Sequence, residues 1–167
     1  MQPRSVSDPV DATSHEIKSL NYMNSILAKI EARNAGADDA ILLDRRGFVS
    51  EATATNVFIV KDRKVSTPSS AAGILHGITR AGVIRLCSDF GLEVQERDVT
   101  PFDLVTADEV FLVGTKAQVL AVGTVGGVTV GSGGVGPLTQ KLYQEFGKVV
   151  QRPEEGTPAF EAESVSI

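Results

Sequence analysis

The chain has 167 residues, 42% of them hydrophobic and 22% charged, with 16 glycines and a formal net charge of −5. That is enough apolar material for one domain with its own core, and the acidic balance excludes a nucleic-acid surface, which needs a basic stripe. No apolar run reaches the ~18 residues of a membrane span, and the single cysteine, Cys87, excludes an internal disulfide. Residues 1–16 carry Ser, Asp, Pro and Thr without periodicity and predict an extended lead-in. They contain no hydrophobic core of a signal peptide, so the cytoplasm is the expected location. From Asn21 to Ala35 the pattern is helical, with Met23, Ile26, Leu27 and Ile30 on one face and Gly36 as the stop. Ala40 to Asp44 predicts a strand, Arg45-Arg46-Gly47 a turn, and Phe48-Val49 the return. Asn56 to Val60 and Val65 to Pro68 predict two more strands around the charged turn Lys61-Asp62-Arg63-Lys64.

A second helix is expected from Ile78 to Phe90, ending at Gly91, with Cys87 in its apolar pattern beside Val83 and Ile84, as a small buried thiol. Leu92 to Arg97 predicts a strand. Thr100 can cap a short helix over Pro101 to Val105, where proline suits the first turn. Val110 to Val113 and Val119 to Val122 predict strands, and Gly126-Gly127 a hairpin. A glycine-rich stretch, Gly131 to Gly136, leads to a last helix from Pro137 to Val150. Residues 151–167, acidic with two prolines, are expected to be disordered. The whole predicts one mixed α/β domain over residues 17–150.

Four short stretches carry chemistry. Lys18 lies between an extended segment and a helix, a place from which a lysine amine can reach into a cleft and bond to an aldehyde cofactor. Alone, it is an ordinary solvated lysine. Glu51, between a strand and the run Ala52-Thr53-Ala54-Thr55, can serve as the counter-charge of a protonated pyridine nitrogen, or be a plain surface acid. Gly77-Ile78-Thr79 opens a helix, where free N–H groups and the helix dipole favour an anion and Thr79 adds a hydroxyl. Gly114-Thr115, just past a strand, offers a second anion contact of the same kind. His15 and His76 lack the neighbours a metal site needs, so no metal is expected.

In this order, the stretches closely resemble the class IV aminotransferases, the fold-type IV pyridoxal-phosphate enzymes. These include branched-chain aminotransferases, D-amino-acid aminotransferases and aminodeoxychorismate lyase. The resemblance runs from Arg4 to Phe146. It is carried by Ile17-Lys18-Ser19-Leu20-Asn21-Tyr22, Ala28-Lys29-Ile30-Glu31-Ala32, Asn56-Val57-Phe58, Gly77-Ile78-Thr79-Arg80, Ala107-Asp108-Glu109-Val110-Phe111 and Gly136-Pro137-Leu138-Thr139. It implies the C-terminal pseudo-barrel domain of the D-amino-acid/branched-chain aminotransferase-like fold. It implies pyridoxal 5'-phosphate as cofactor, Lys18 as the Schiff-base lysine and proton carrier, and Glu51 as the partner of the pyridine nitrogen. Gly77, Ile78 and Thr79 would hold the phosphate, with Gly114 and Thr115 as a further contact. Leu75 would pack on the ring and Tyr22 would touch the phenolic oxygen.

The implied reaction is a ping-pong transfer of an amino group from a branched-chain amino acid to a 2-oxo acid, 2-oxoglutarate, within a homodimer. Asn21-Tyr22 favours a branched-chain enzyme over a D-amino-acid aminotransferase, and aminodeoxychorismate lyase stays open as an alternative. A non-catalytic truncated homologue is the other alternative. The family's smaller N-terminal domain, with its phosphate-gripping arginine, is expected to be absent. Activity of this chain alone is therefore expected to be impaired, and the face that docks that domain is expected to expose apolar residues. Lys116, where relatives carry a small residue, and Leu120-Ala121, where they carry proline, depart from the family pattern.

Overall fold

The computed structural model describes residues 3–4 and 18–152. The remainder of the expected lead-in and the expected tail beyond Arg152 lie outside the described residues. In chain order the elements are β1 (Pro3–Arg4), α1 (Met23–Asn34), β2 (Ile41–Leu43), β3 (Val49–Ala52), β4 (Asn56–Lys61) and β5 (Lys64–Pro68). There follow α2 (Ile78–Asp89), β6 (Val94–Arg97), α3 (Pro101–Thr106), β7 (Glu109–Gly114), β8 (Gln118–Val122), β9 (Thr124–Val125), β10 (Val128–Thr129) and α4 (Pro137–Val149).

A five-stranded sheet in the order β6-β5-β4-β7-β8 forms the middle of the molecule. Only β5 and β6 run parallel; the other neighbours are antiparallel. Strands β4 and β7 are apolar on both faces, which is what a sheet covered on both sides requires. On one face Phe58, Val60, Phe111 and Val113 pack with Val83, Leu86 and Cys87 of α2 and Leu142 and Phe146 of α4. On the other, Val57, Ile59, Val110 and Leu112 pack with Ile41, Val49 and Ala52 of the small β1-β2-β3 sheet and Leu104 of α3. Two sheets enclosing a shared core give the barrel-like domain expected from the sequence.

Most local expectations hold within a residue or two. Thr100 caps α3 in a full capping box: its hydroxyl accepts from Asp103 N–H at 3.1 Å, and Asp103 accepts from Thr100 N–H at 2.7 Å. Burial would raise the Asp103 carboxyl, but hydrogen bonds from Arg97 and from Thr100 outweigh it and hold it below the usual range. Gly126 and Gly127, both at positive φ, turn the β9–β10 hairpin. Burial pushes the Cys87 thiol up to about 11, so it is a packing group. No helix among the described residues is long and apolar enough to cross a membrane.

Helix α1 departs from the simple amphipathic picture. It seats Ala28 and Ala32 against Ala40 and Leu42, because small side chains let the helix approach the β1-β2-β3 sheet closely. The apolar stripe at helical spacing points away: Met23 is 61% exposed and Ile26, Leu27 and Ile30 about half exposed. The pattern marked the apolar side correctly, but not the side buried in this chain.

Glu109 explains one sequence run. Its buried carboxylate accepts from Leu138 N–H at 3.0 Å, Thr139 N–H at 2.8 Å and the Thr139 hydroxyl at 2.7 Å, capping the open end of α4. A side chain at Gly136 would collide with that carboxylate. Gly136→Ala is therefore expected to destabilise by about 1–3 kcal/mol, read as a lower denaturation midpoint. The opposite sign is expected at the β4–β5 turn. There Arg63 is held at φ 61°, a left-handed conformation that suits glycine. Arg63→Gly is expected to raise the stability by about 0.5–1 kcal/mol, measured the same way.

Candidate active site

The nine residues that the resemblance assigns to the cofactor meet in one cleft at the end of the β4–β7 pair. Lys18, Tyr22, Glu51, Leu75, Gly77, Ile78, Thr79, Gly114 and Thr115 line it, and its cavity volume is about 100 Å³. They come from five places: the lead-in to α1, strand β3, the segment before α2, the first turn of α2, and the end of β7.

The lysine corner is built by a tight turn. Leu20 adopts φ 63°, uncommon for a residue with a side chain, and Tyr22 N–H donates to Leu20 carbonyl at 3.0 Å. The turn folds the chain back so that Lys18 Nζ donates to the Tyr22 hydroxyl at 3.2 Å. Lys18 is exposed and Tyr22 half-buried. A strained backbone of this kind persists where surrounding structure holds it, often at functional sites. Nothing in Ser19-Leu20-Asn21 announced it.

The acid corner is Glu51, half-buried on β3. Its Oε2 accepts from Leu75 N–H at 3.1 Å and stands 3.4 Å from the Asn56 side-chain nitrogen. Asn56 also donates to Leu75 carbonyl at 2.9 Å. Asn56 stands in the sequence run Asn56-Val57-Phe58 but carried no role in the sequence reading; an amide heading an apolar strand was the available signal. Thr53, Ala54 and Thr55, also lining the cleft, were read only as a small-residue segment.

The anion corner is the start of α2. Gly77 is its N-cap, with no side-chain cap for the first-turn N–H groups among the described residues, while Thr79 is buried and Ile78 is 78% exposed. Gly114 approaches the β3–β4 connection so closely that a Cβ there would sit 2.9 Å from Thr55 Cγ2 and 3.3 Å from Ala54 carbonyl. Thr55 Oγ1 in the cleft wall is buried without a hydrogen-bond partner among the described residues. Such a group costs about 1–3 kcal/mol, which a polar ligand atom would offset. Arg80, by contrast, faces away: it donates to Pro68 carbonyl at 3.0 Å and pairs with Glu96 at 2.6 Å, tying α2 to β5 and β6.

One end of the cleft thus offers an amine beside a phenol, the side a single carboxylate, and the far end an uncapped helix start with glycine and threonine. That set fits a flat cationic ring bearing an aldehyde and a phosphate. No group of three or more metal-ligating side chains stands close enough for a metal among the described residues.

The family model for amino-transferase class IV matches residues 1–125, and the chain belongs to that family. A Methanocaldococcus jannaschii protein provisionally named a branched-chain-amino-acid aminotransferase is 48% identical over 138 residues, 83% of this chain and 48% of its own length. The D-alanine aminotransferase of Bacillus licheniformis is 42% identical over 127 residues, 76% of this chain and 44% of its own. The solved branched-chain amino acid aminotransferase of Thermobaculum terrenum, in its PLP-form, matches with a TM-score of 0.85 at 36% identity, covering 89% of this chain and 50% of that one. The chain therefore spans about half the length of these relatives.

The glycine at the helix start is testable without any ligand. A Cβ at Gly77 would collide with Asn56 Oδ1, which cannot swing aside while its amide nitrogen holds Leu75 carbonyl. Gly77→Ala is expected to destabilise by about 1–3 kcal/mol in a denaturant titration. An unchanged midpoint would mean that Asn56 is free to move.

Proposed function

We propose that this chain is the cofactor-binding part of a branched-chain aminotransferase, holding pyridoxal 5'-phosphate on Lys18. The convergence of Lys18, Glu51 and the start of α2 on one cleft carries the reading, since these residues are far apart in sequence. When bound, the cofactor supplies an aldehyde that takes up an amine and a cationic ring that draws electrons from the substrate carbon.

Each residue then has a defined task. Lys18 Nζ would hold the cofactor through its aldehyde and, as a free amine, would take up and return the proton of the substrate Cα. Tyr22 Oη, 3.2 Å from that nitrogen, orients it and reaches the cofactor's phenolic oxygen. Glu51 pairs with the ring nitrogen and keeps its proton in place. Leu75 packs on the ring. Ile78 and Thr79 offer backbone N–H groups, and Thr79 and Thr115 hydroxyls, to the phosphate; Gly77 and Gly114 leave room for it.

The donor is proposed as a branched-chain amino acid and the acceptor as 2-oxoglutarate, giving a 2-oxo acid and glutamate. Support comes from the branched-chain relatives in sequence and structure and from Tyr22 beside Lys18. The D-alanine aminotransferase relative supports a second reading, in which the donor is a D-amino acid. A homodimer in the cytoplasm completes the proposal; the outward apolar stripe of α1 supports association. With Lys18 exposed on the open side of the cleft, turnover by these 167 residues alone is expected to be slow, because water reaches the reacting atoms.

The test is to add pyridoxal phosphate, reduce with borohydride and map the peptides. A single pyridoxyl group on Lys18, lost in Lys18→Ala, is expected. Adducts scattered over many lysines would overturn the reading. Adding leucine or D-alanine to the loaded protein before reduction then separates the two donors, since the true donor protects Lys18 from the adduct.

A further inference from the structure

We propose that Asn56 is a positioning residue that joins the ring-nitrogen carboxylate to the phosphate end of the cleft, so that the two corners hold the cofactor as one unit. The inference rests on the cofactor assignment above and deepens it. Asn56 is 6% exposed and heads the central strand β4, pinned opposite Val113 of β7. Its amide has three neighbours, one on β3 and two in the segment that leads into α2. The NH₂ donates to Leu75 carbonyl at 2.9 Å and lies 3.4 Å from Glu51 Oε2. The amide oxygen abuts Gly77, the N-cap of α2, where no Cβ could fit.

Leu75 closes the loop. Its N–H donates to the same Glu51 oxygen at 3.1 Å, and its carbonyl also accepts from Gly77 N–H at 2.9 Å. The segment 75–77 is thus clamped between the carboxylate and the helix start, with Asn56 as the common partner. An amide suits this place because it offers two N–H donors on one side, toward two oxygens, and a neutral oxygen on the other. Aspartate has nearly the same shape but no donor. It would set a carboxylate against Glu51 and against Leu75 carbonyl.

That difference gives a test with a sign. Binding of pyridoxal phosphate is followed by its absorbance change in the unaltered chain, in N56D, in E51Q and in the double variant. At pH 8, N56D is expected to weaken binding about tenfold, the factor that goes with one charge-assisted contact. In the E51Q background the same change is expected to cost less than about twofold, because the opposing charge is gone. Lowering the pH toward 5 should restore binding by N56D relative to the unaltered chain, since the introduced carboxyl regains a donor once protonated. A loss that is equal in both backgrounds and indifferent to pH would overturn the inference and leave Asn56 a packing residue. Should N56D fail to fold, N56A is measured in both backgrounds at one pH, and a loss that is equal with Glu51 and with E51Q overturns the inference.

A second readout needs no cofactor. Hydrogen exchange at the Leu75 amide is expected to speed up in N56D and N56A; unchanged exchange there would overturn the inference by itself. If the unaltered chain takes up no pyridoxal phosphate at Lys18, the functional reading fails. If it does so and N56D binds equally well, only the role of Asn56 fails.

Discussion

The register of β4 against β7 is the constraint from which the rest of the structure follows. Asn56 faces Val113 and Phe58 faces Phe111, whose rings lie nearly parallel with centroids 5.1 Å apart. Side chains alternate faces along a strand, so a slip of one residue would exchange the two cores. Val57 and Ile59 would leave the face of the small sheet, and Phe58 and Val60 the face of the two helices. The same slip would carry Gly114 away from Thr55, where only glycine fits. Hydrophobic burial on both faces thus fixes, to within one residue, the geometry of polar groups at the strand ends.

The cleft lies at that end because the ladder stops there. β4 begins at Asn56 and β7 ends at Gly114, so the chain must turn, and turning frees backbone and side-chain polar groups from the sheet. The fold satisfies most of them internally. Asn56 takes Leu75 carbonyl, Glu51 takes Leu75 N–H, and Arg80 takes Pro68 carbonyl. Among the described residues, the buried Thr55 hydroxyl and the first turn of α2 are left unsatisfied in the cleft, and Arg80 Nε is left unsatisfied outside it. The start of α4 shows the alternative. There Glu109 supplies a carboxylate from within the protein, and no ligand is called for. Two helix starts with the same need are met in two ways, one by a side chain and one left open to the cleft.

Helix α1 follows a different logic. Its alanines face the small sheet while its large apolar residues face outward. Alanine contacts bring the backbone close and hold the Lys18–Tyr22 turn near β3. Lys29 adds a salt bridge to Asp39 at 3.2 Å, and Asp39 accepts from the Thr53 hydroxyl at 2.6 Å, two residues from Glu51. The amine and the carboxylate of the cleft are thus linked through the surface of one helix.

Much of this was legible in the chain itself. Alternation and apolar runs set the strands, proline after Thr100 set the α3 cap, and paired glycines set the β9–β10 turn, because each is a local preference of backbone or side chain. The motif around Lys18, Glu51 and Thr79 likewise pointed to residues that the fold brings to one cleft. Other features depend on residues that meet only in the folded molecule. Leu20 is held left-handed by its surroundings and not by its type. Met23, Ile26, Leu27 and Ile30 form a stripe that periodicity cannot orient. Asn56 acquires its place from Glu51, Leu75 and Gly77, which approach it from three directions. The sequence by itself determined the elements and the chemistry available. Only the tertiary structure decided which polar groups are partnered and which face the cleft, since hydrogen bonds across 19 or more residues, such as Asn56 to Leu75, are set by packing and not by local preference.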